Sequence, residues 1–311
     1  MKPWDQVTIV GVGLIGGSLG LALRKARLAR RVVGVGRRQA SLEAARRRQA
    51  ADETTLDAAA GARGSDLVVL ATPVGRFHDR LLEMAPVLRP GAVVIDVGST
   101  KAQVVADLEP LVPEGRTFLG CHPVAGSEQR GVEAARADLF QGNLCILTPT
   151  PRTPPDVLER VTATWTGVGM TVRLLSPADH DRLLAEVSHL VHVAAAALVT
   201  AISAEAEPLV GPGWVDTTRV AGGDPALWRD ILLTNAAELA KALRKAEGVL
   251  DEFRRALEAG DAPRIQDLLA AAQARRRRLL EARDEGRSPP ARAPEPGGCA
   301  ASPSGKGRSR P

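Results

Sequence analysis

Glycines near the start of this chain form a pattern that few folds can accommodate. Residues 7–10 are a short apolar run with β-branched side chains, which is typical of a buried strand. Three glycines follow as G-x-G-x-x-G, and apolar residues then continue at helical spacing. A strand, a tight turn and a helix in this order bind phosphate, because free N–H groups at the start of the helix attract anions. The pattern predicts a dinucleotide site whose cofactor contacts are Gly11, Gly13, Leu14, Ile15 and Gly16.

The end of the predicted second strand, residues 31–35, departs from the usual form of such a unit. An acidic residue normally ends this strand and binds the adenosine 2′-hydroxyl. Here Gly36 is followed by Arg37 and Arg38, and Ser41 lies close behind them. A guanidinium can pair bidentately with a 2′-phosphate, which a carboxylate would repel. We therefore expect NADP to be favoured, with NAD as a possible cofactor; the alternative is that these arginines are simply exposed.

Strands and helices alternate along the rest of the first half. Apolar strands are predicted at residues 66–71, 92–97, 117–119 and 145–147, helices at 77–88 and 101–111, and one more helix and strand over 157–172. This alternation indicates an α/β fold with a doubly wound parallel sheet. Thr72 and Pro73 follow one of these strands, and Ser99 follows the next. Because ligands bind at the carboxyl ends of parallel strands, we place these residues in the predicted site.

From residue 177 onward the chain is predicted to be helical. Residues 178–206 are alanine-rich, a long helical run starts at Pro225, and a last helix covers 263–284. Long helices with an apolar face rarely bury that face alone. We therefore expect a nucleotide-binding domain at residues 1–172 and an all-helical domain at 173–285 that forms a homodimer. Residues 286–311 are rich in Pro, Gly, Ser and Arg, which predicts a disordered tail.

Composition limits the remaining classes of function. No apolar run reaches the roughly 20 residues that span a bilayer, and the first strand begins too early for a signal peptide, so we expect a cytoplasmic protein without a membrane partner. Three scattered cysteines favour neither a disulfide framework nor a zinc site, and no metal is expected. The net charge of +5 comes with no tyrosine, four Phe and four Trp. A nucleic-acid binder would usually add stacking aromatics to a continuous basic patch, so no nucleic-acid partner is expected.

His122 is the first candidate for acid–base chemistry. It lies in a glycine-flanked loop predicted to follow a strand, at the same sheet edge as Ser99. Oxidation of an alcohol by hydride transfer requires a group that accepts the hydroxyl proton, and neutral imidazole suits this near pH 7. The residues alone leave a structural loop histidine equally open.

The helical half contributes further candidates. His189 and His192 are three residues apart on a predicted helix, with Ser188 beside them. They could line a cleft, belong to the core or, least favoured, bind a metal. Arg219 suits a substrate carboxylate, although an ordinary ion pair explains it equally well.

Eight segments combine into a pattern of their own. They are GVGLIGGS (11–18), ATPV (71–74), DVGSTK (96–101), GCHPVAGSE (120–128), FQGNLCILTPT (140–150), VSHLVH (187–192), DTTRVA (216–221) and DPALWRDI (224–231). In this order and combination the chain resembles the prephenate/arogenate dehydrogenase family of tyrosine biosynthesis, over about residues 5–285. The H-P-x-A-G, S-H-L-x-H and T-R-V-A segments are specific together, whereas the glycine turn alone is not.

The resemblance implies a Rossmann domain, a helical dimerisation domain and an active site between them. The implied reaction is the oxidative decarboxylation of prephenate to 4-hydroxyphenylpyruvate, with arogenate to tyrosine as the alternative. His122 would match the catalytic histidine at the ring C4 hydroxyl, Ser99 the serine beside it, and Arg219 the arginine that binds the ring carboxylate. The positions that would line or gate the pocket are Glu128, Ser188, His189 and His192.

Two rival classes share parts of this pattern. A β-hydroxyacid dehydrogenase has the same domain plan but uses a lysine on the interdomain helix, and residues 187–199 contain no lysine. A non-catalytic NADP-sensing protein would not need Ser99, His122 and Arg219 together. We therefore rank both classes below the dehydrogenase.

Overall fold

Eight β-strands form one sheet in the residues that the computed structural model describes, 2–126 and 129–287. The strand order is β3-β2-β1-β4-β5-β6-β7-β8, and neighbours are parallel except β6 and β7. The strands are β1 (Trp4–Val10), β2 (Ala29–Val35), β3 (Glu53–Thr55), β4 (Leu67–Leu70), β5 (Val93–Asp96), β6 (Thr117–Val124), β7 (Leu144–Thr148) and β8 (Thr171–Leu174). The predicted doubly wound sheet is confirmed, with one antiparallel pair and a short strand, β3, that the sequence pattern did not reveal.

Helices cover both faces of this sheet. They are α1 (Leu14–Lys25), α2 (Gln39–Arg47), α3 (Ala58–Ala62), α4 (Phe77–Met84), α5 (Ala102–Leu108) and α6 (Pro155–Gly167). Alternate residues of β1 point to the two faces of the sheet: Ile9 belongs to the same core cluster as Leu23 and Trp165, whereas Val10 belongs to the cluster that contains Phe77. Burial on both faces explains why the strands are almost continuously apolar.

Strand β6 is longer than the predicted residues 117–119. Its first residues pair in parallel with β5, and Gly120–Val124 pair antiparallel with β7, so that His122 lies opposite Ile146. Gly120 permits this crossing, because a Cβ there would lie 2.4 Å from Thr148 Oγ1. The expectation of a loop around His122 is therefore wrong, and the imidazole is held by a strand that has partners on both sides.

The second half of the chain is helical, as expected. It contains α7 (Pro177–Leu184), a π-helical turn (Ala185–His189), α8 (Leu190–Ala201), α9 (Pro212–Thr218), a 3₁₀ turn (Arg219–Gly222), α10 (Pro225–Thr234), α11 (Ala236–Glu258) and α12 (Ala262–Arg287). Ser176 and Asp224 start α7 and α10 as N-caps, each followed by a proline. The long helix predicted from Pro225 is interrupted at Asn235.

One helical stretch, Pro177–Ala201, is long and apolar enough to cross a membrane by length and composition. Its mean hydropathy is 1.6 over the most apolar window. This stretch differs from the expectation that no apolar run is long enough to span a bilayer. However, His180, Asp181 and His189 on this stretch are buried and hydrogen-bonded to other elements. These polar contacts show that the stretch packs against α5, β6 and the junction of α10 and α11.

The described chain falls into two compact units, divided between Asp251 and Glu252. In the second unit Arg264 forms an ion pair with Glu252 at 2.8 Å. The predicted domain boundary at 172/173 stays a prediction. Residues 286 and 287 belong to α12, so that part of the predicted tail is helical; residues 288–311 lie outside the described residues.

Candidate active site

The glycine turn lies where the carboxyl ends of β1 and β4 meet. Gly11 has φ +109°, and a Cβ there would lie 2.5 Å from the Ala71 carbonyl oxygen. A Cβ on Gly16 would lie 2.1 Å from Gly11 O, whereas one on Gly13 would meet nothing within 4 Å among the described atoms. Two of the glycines thus allow close packing, and the third leaves backbone open to a ligand.

The surroundings of this turn fit a dinucleotide. Helix α1 begins directly after Gly13 with no side-chain cap and no acidic residue in its first turn, so its N–H groups are available to a pyrophosphate. Leu14 and Ile15 pack against the core and hold this turn in place. Thr72 Oγ1, on the neighbouring strand end, is buried without a hydrogen-bond partner in the described chain, and Pro73 is exposed beside it. Such an orphaned hydroxyl is suited to a ligand oxygen or amide.

The end of β2 is basic. Arg37 and Arg38 are exposed, Ser41 is half-buried on the first turn of α2, and α2 has no side-chain cap. They follow the strand end at which dinucleotide-binding domains hold the adenosine ribose.

His122 belongs to a buried chain of hydrogen bonds that leads away from the sheet. Its Nδ1 lies 2.8 Å from His180 Nε2, and His180 Nδ1 lies 2.7 Å from Asp181 Oδ1. All three side chains are buried. A carboxylate accepts only, so His180 Nδ1 carries a proton and its Nε2 must accept from His122. His122 Nε2 is therefore left with a free lone pair, the form that a general base requires.

The electrostatics of this chain keep His122 neutral. Burial lowers its pKa well below 6.5, and the neighbouring His180 and Lys101 lower it further. Burial also lowers the pKa of His180, against the opposing effect of Asp181. At neutral pH both imidazoles are uncharged, and His122 can accept a proton.

Asp181 also fixes the loop that carries Ser99. Its two carboxylate oxygens accept from the backbone N–H groups of Lys101, at 2.7 Å, and Ala102, at 2.8 Å, which caps α5. Lys101 Nζ donates to Asp96 Oδ2 at 2.5 Å, and both side chains are fully buried. The segment between Asp96 and Lys101, with half-buried Ser99 at its centre, is thus tied at both ends.

His189 and His192 lie around a tryptophan beside this loop. His189 is fully buried next to the Ser99 backbone, and Asn235 Nδ2 lies 3.0 Å from its Nδ1. His192 stacks on Trp228 with ring centroids 3.6 Å apart. His189 Nε2 and His192 Nδ1 are buried without hydrogen-bond partners in the described residues. Unpaired polar atoms of this kind are rare in a protein core, whereas in a ligand site a bound ligand can supply the missing partner.

The remaining predicted site residues are Ser188, Arg219 and Glu128. Ser188 is half-buried in the π-helical turn. Arg219 begins the 3₁₀ turn after α9, and its side chain is exposed. Gly223 follows that turn, and a Cβ there would lie 2.5 Å from Trp228 Nε1. Glu128 lies outside the described residues. The roles assigned to all these residues stay predictions.

Sequence reasoning missed His180, Asp181 and Asn235. A signal was present for the first two, because a His-Asp pair in the first turns of an apolar helix is costly to bury unless its partners are specific. Asn235 gave no such signal, since an asparagine between two helices is usually a cap. Among the described residues no group of three His, Cys, Asp or Glu could hold a metal.

Comparisons with known proteins agree with this geometry. Residues 19–174 match the family model for the nucleotide-binding domain of prephenate dehydrogenase, and residues 176–271 match that for its dimerization domain. The prephenate dehydrogenase of Bacillus subtilis is 33% identical over 268 residues, which cover 84% of this chain and 72% of that protein.

Solved structures show the same relationship. The crystal structure of prephenate dehydrogenase from A. aeolicus in complex with hydroxyphenyl propionate and NAD+ is 32% identical, with a TM-score of 0.82, over 88% of this chain and 98% of that chain. The arogenate dehydrogenase of Synechocystis is 31% identical, with a TM-score of 0.76, over 88% of this chain and 99% of that chain.

Proposed function

The chain belongs to the prephenate dehydrogenase family, and from this we propose that it oxidatively decarboxylates prephenate to 4-hydroxyphenylpyruvate with NAD(P)+. The observation that carries the proposal is the His122–His180–Asp181 array, which leaves a neutral imidazole with a free Nε2. A sheet edge with an open glycine turn and an orphaned Thr72 hydroxyl supports the dinucleotide part of the reaction.

His122 has two tasks in this reaction. Its Nε2 accepts the proton of the ring C4 hydroxyl, and the bound nicotinamide supplies the acceptor for the C4 hydride. The positive charge that develops on His122 is shared through His180 with Asp181. As the bond from C1 to its carboxylate breaks, its electron pair makes the ring aromatic, and His122 returns the proton to the phenolate oxygen. The products are carbon dioxide, reduced nicotinamide and the hydroxyphenyl compound.

The remaining groups orient the substrate. We assign the ring carboxylate to Arg219, because a guanidinium binds a carboxylate without protonating it. Ser99, held between Asp96 and Lys101, would place a hydroxyl beside the C4 oxygen. Aromatisation and loss of carbon dioxide make the step irreversible, so alignment is the main demand on the enzyme.

We further propose that NADP+ is preferred over NAD+. Arg37 and Arg38 are exposed at the end of β2, where NAD-specific domains have a carboxylate. The A. aeolicus relative was crystallised with NAD+. Dual use of both cofactors is the alternative.

The test is a steady-state assay of the purified full chain with four substrate and cofactor pairs: prephenate or arogenate, each with NAD+ or NADP+. We expect the fastest formation of reduced nicotinamide with prephenate and NADP+. Faster turnover of arogenate than of prephenate would identify arogenate as the substrate. Absence of turnover with every pair, by folded protein that binds NADP+, would favour the non-catalytic sensor.

We also propose that the protein is a cytoplasmic homodimer. Val187, Val191 and Leu198 share the outer side of the stretch around α8 and are 70%, 48% and 48% exposed, which favours a protein partner on this face. Light scattering on the eluting protein should give twice the chain mass of 32.7 kDa. The L198E variant should shift that mass toward the monomer, and an unchanged dimer would place the interface elsewhere.

A further inference from the structure

Asn235 lies at the junction of α10 and α11, a position where asparagine usually caps a helix. Its side chain is instead buried and points inward. The amide nitrogen Nδ2 lies 2.8 Å from the Asp181 carbonyl oxygen and 3.0 Å from His189 Nδ1. The Asn235 side chain thus connects two parts of the site: the backbone of Asp181, whose carboxylate orients His180, and the buried ring of His189.

These two contacts determine which nitrogen of His189 carries the proton. A backbone carbonyl only accepts hydrogen bonds, so the amide group beside Asp181 must present its NH₂ and not its oxygen. The second proton of that NH₂ then points at His189, whose Nδ1 must accept it. A neutral imidazole that accepts at Nδ1 carries its proton on Nε2.

The Ser99 backbone interacts with the His189 ring, but the Nε2–H group makes no hydrogen bond of normal geometry to it or to any other described residue. His189 is fully buried, and its ring lies beside the Ser99 backbone and edge-on to Trp228 at 6.3 Å between centroids. Burial lowers the pKa of His189 to about 4, so the ring stays neutral at pH 7. A buried donor without an acceptor is costly in the folded protein, and a ligand oxygen would relieve that cost.

We propose that Asn235 is a positioning residue that locks His189 in its Nε2–H form, so that this group donates to a substrate oxygen beside Ser99. The inference rests on the proposed function for the identity of the substrate. The protonation of His189 itself does not depend on that function and can be measured in the free protein.

The experiment is long-range ¹H–¹⁵N NMR on the full chain with ¹⁵N-labelled histidine. The chain has five histidines, and the H189Q variant identifies the signal of His189. We expect Nε2 to be protonated and Nδ1 unprotonated across pH 6 to 8. Addition of NADP+ and 4-hydroxyphenylpyruvate should shift the Nε2 signal. A proton on Nδ1, or an unshifted Nε2 in the ternary complex, would overturn the proposal.

The variant N235D tests the link to catalysis. A carboxylate cannot donate to Asp181 O and would accept from His189 Nδ1, which moves the proton. We expect kcat/KM to fall tenfold or more, with the Kd for NADP+ unchanged within twofold. N143D is the matched control, because Asn143 Nδ2 also donates to a carbonyl, Leu139 O at 3.0 Å, and does not hydrogen-bond to a histidine; its kcat/KM should stay within twofold of the wild type.

The outcomes separate the two proposals. If N235D reverses the proton position and keeps wild-type kcat/KM, the role of Asn235 is refuted while the enzyme function stands. If no substrate is turned over, the proposed function fails, whereas the NMR result still decides the state of His189.

Discussion

Replacement of His180 tests how the buried chain of hydrogen bonds prepares His122. In H180L the His122 Nδ1–H group loses its acceptor at 2.8 Å and becomes a buried, unpaired donor. In H180Q the side-chain amide oxygen ends near the former Nε2 position and can still accept. The two variants therefore differ in whether they hold His122 in its basic form.

The size of the effect follows from the cost of the unpaired donor. Leaving a buried N–H unsatisfied costs about 1–3 kcal/mol. In H180L the imidazole avoids that cost by moving its proton to Nε2, which removes the lone pair that accepts the substrate proton. At 1.36 kcal/mol per factor of ten, the active form becomes about 5- to 160-fold less populated. We expect kcat/KM of H180L to fall by that factor and kcat/KM of H180Q to fall less than about fivefold.

The assay is initial-rate kinetics of both variants, with cofactor affinity and thermal unfolding as controls for folding. Asp181 keeps its two backbone donors in both variants, so the support of the Ser99 loop should be equal. Equal activity of H180L and wild type would show that His180 does not control which nitrogen of His122 carries the proton. If H180Q is as impaired as H180L, loss of the imidazole ring and not loss of the acceptor is the cause, which would also contradict the proposed role of His180.

Further variants test the remaining assignments. H122N should keep NADP+ affinity and lose at least about a hundredfold in kcat, the scale of a general acid–base group; near-normal kcat would remove His122 from the mechanism. R219A should mainly raise the KM for the substrate, and an unchanged KM would place the carboxylate elsewhere. The R37A/R38A double variant should lose affinity for NADP+ and keep that for NAD+, as isothermal titration can measure; equal losses would refute the 2′-phosphate assignment. The pKa of His189 is lowered from 6.5 to about 4, so between these pH values the unfolded chain binds one proton more than the folded protein. As the pH falls through this range, His189 should therefore lower the free energy of unfolding by up to about 1.4 kcal/mol per pH unit. In urea titrations at several pH values, H189Q should show a correspondingly shallower decline.

The parts of the fold that local pattern determines could be predicted from the sequence. The glycine turn, the apolar strands and the caps of α7 and α10 are signals within a few residues of one another. Strand β6 was predicted too short because its second half is stabilised by antiparallel pairing with β7, about 25 residues away. The same pairing places His122 in a strand and not in a loop.

The site was harder to predict because its contacts are long-range. His122 and His180 are 58 residues apart, and Asn235 meets His189 across 46 residues. No periodicity or spacing in the sequence indicates such contacts. His122 and Ser99 were predicted as site residues because strand ends collect at one edge of the sheet. His180, Asp181 and Asn235 lie in the helical half, whose packing the sequence left open.

The stoichiometry of one turnover of prephenate tests the proposed reaction most directly. Carbon dioxide, reduced nicotinamide and 4-hydroxyphenylpyruvate should be measured in the same reaction with the wild-type chain. Oxidative decarboxylation should give one of each per prephenate consumed. Reduction of the nicotinamide without release of carbon dioxide would indicate a simple alcohol dehydrogenase and would contradict it.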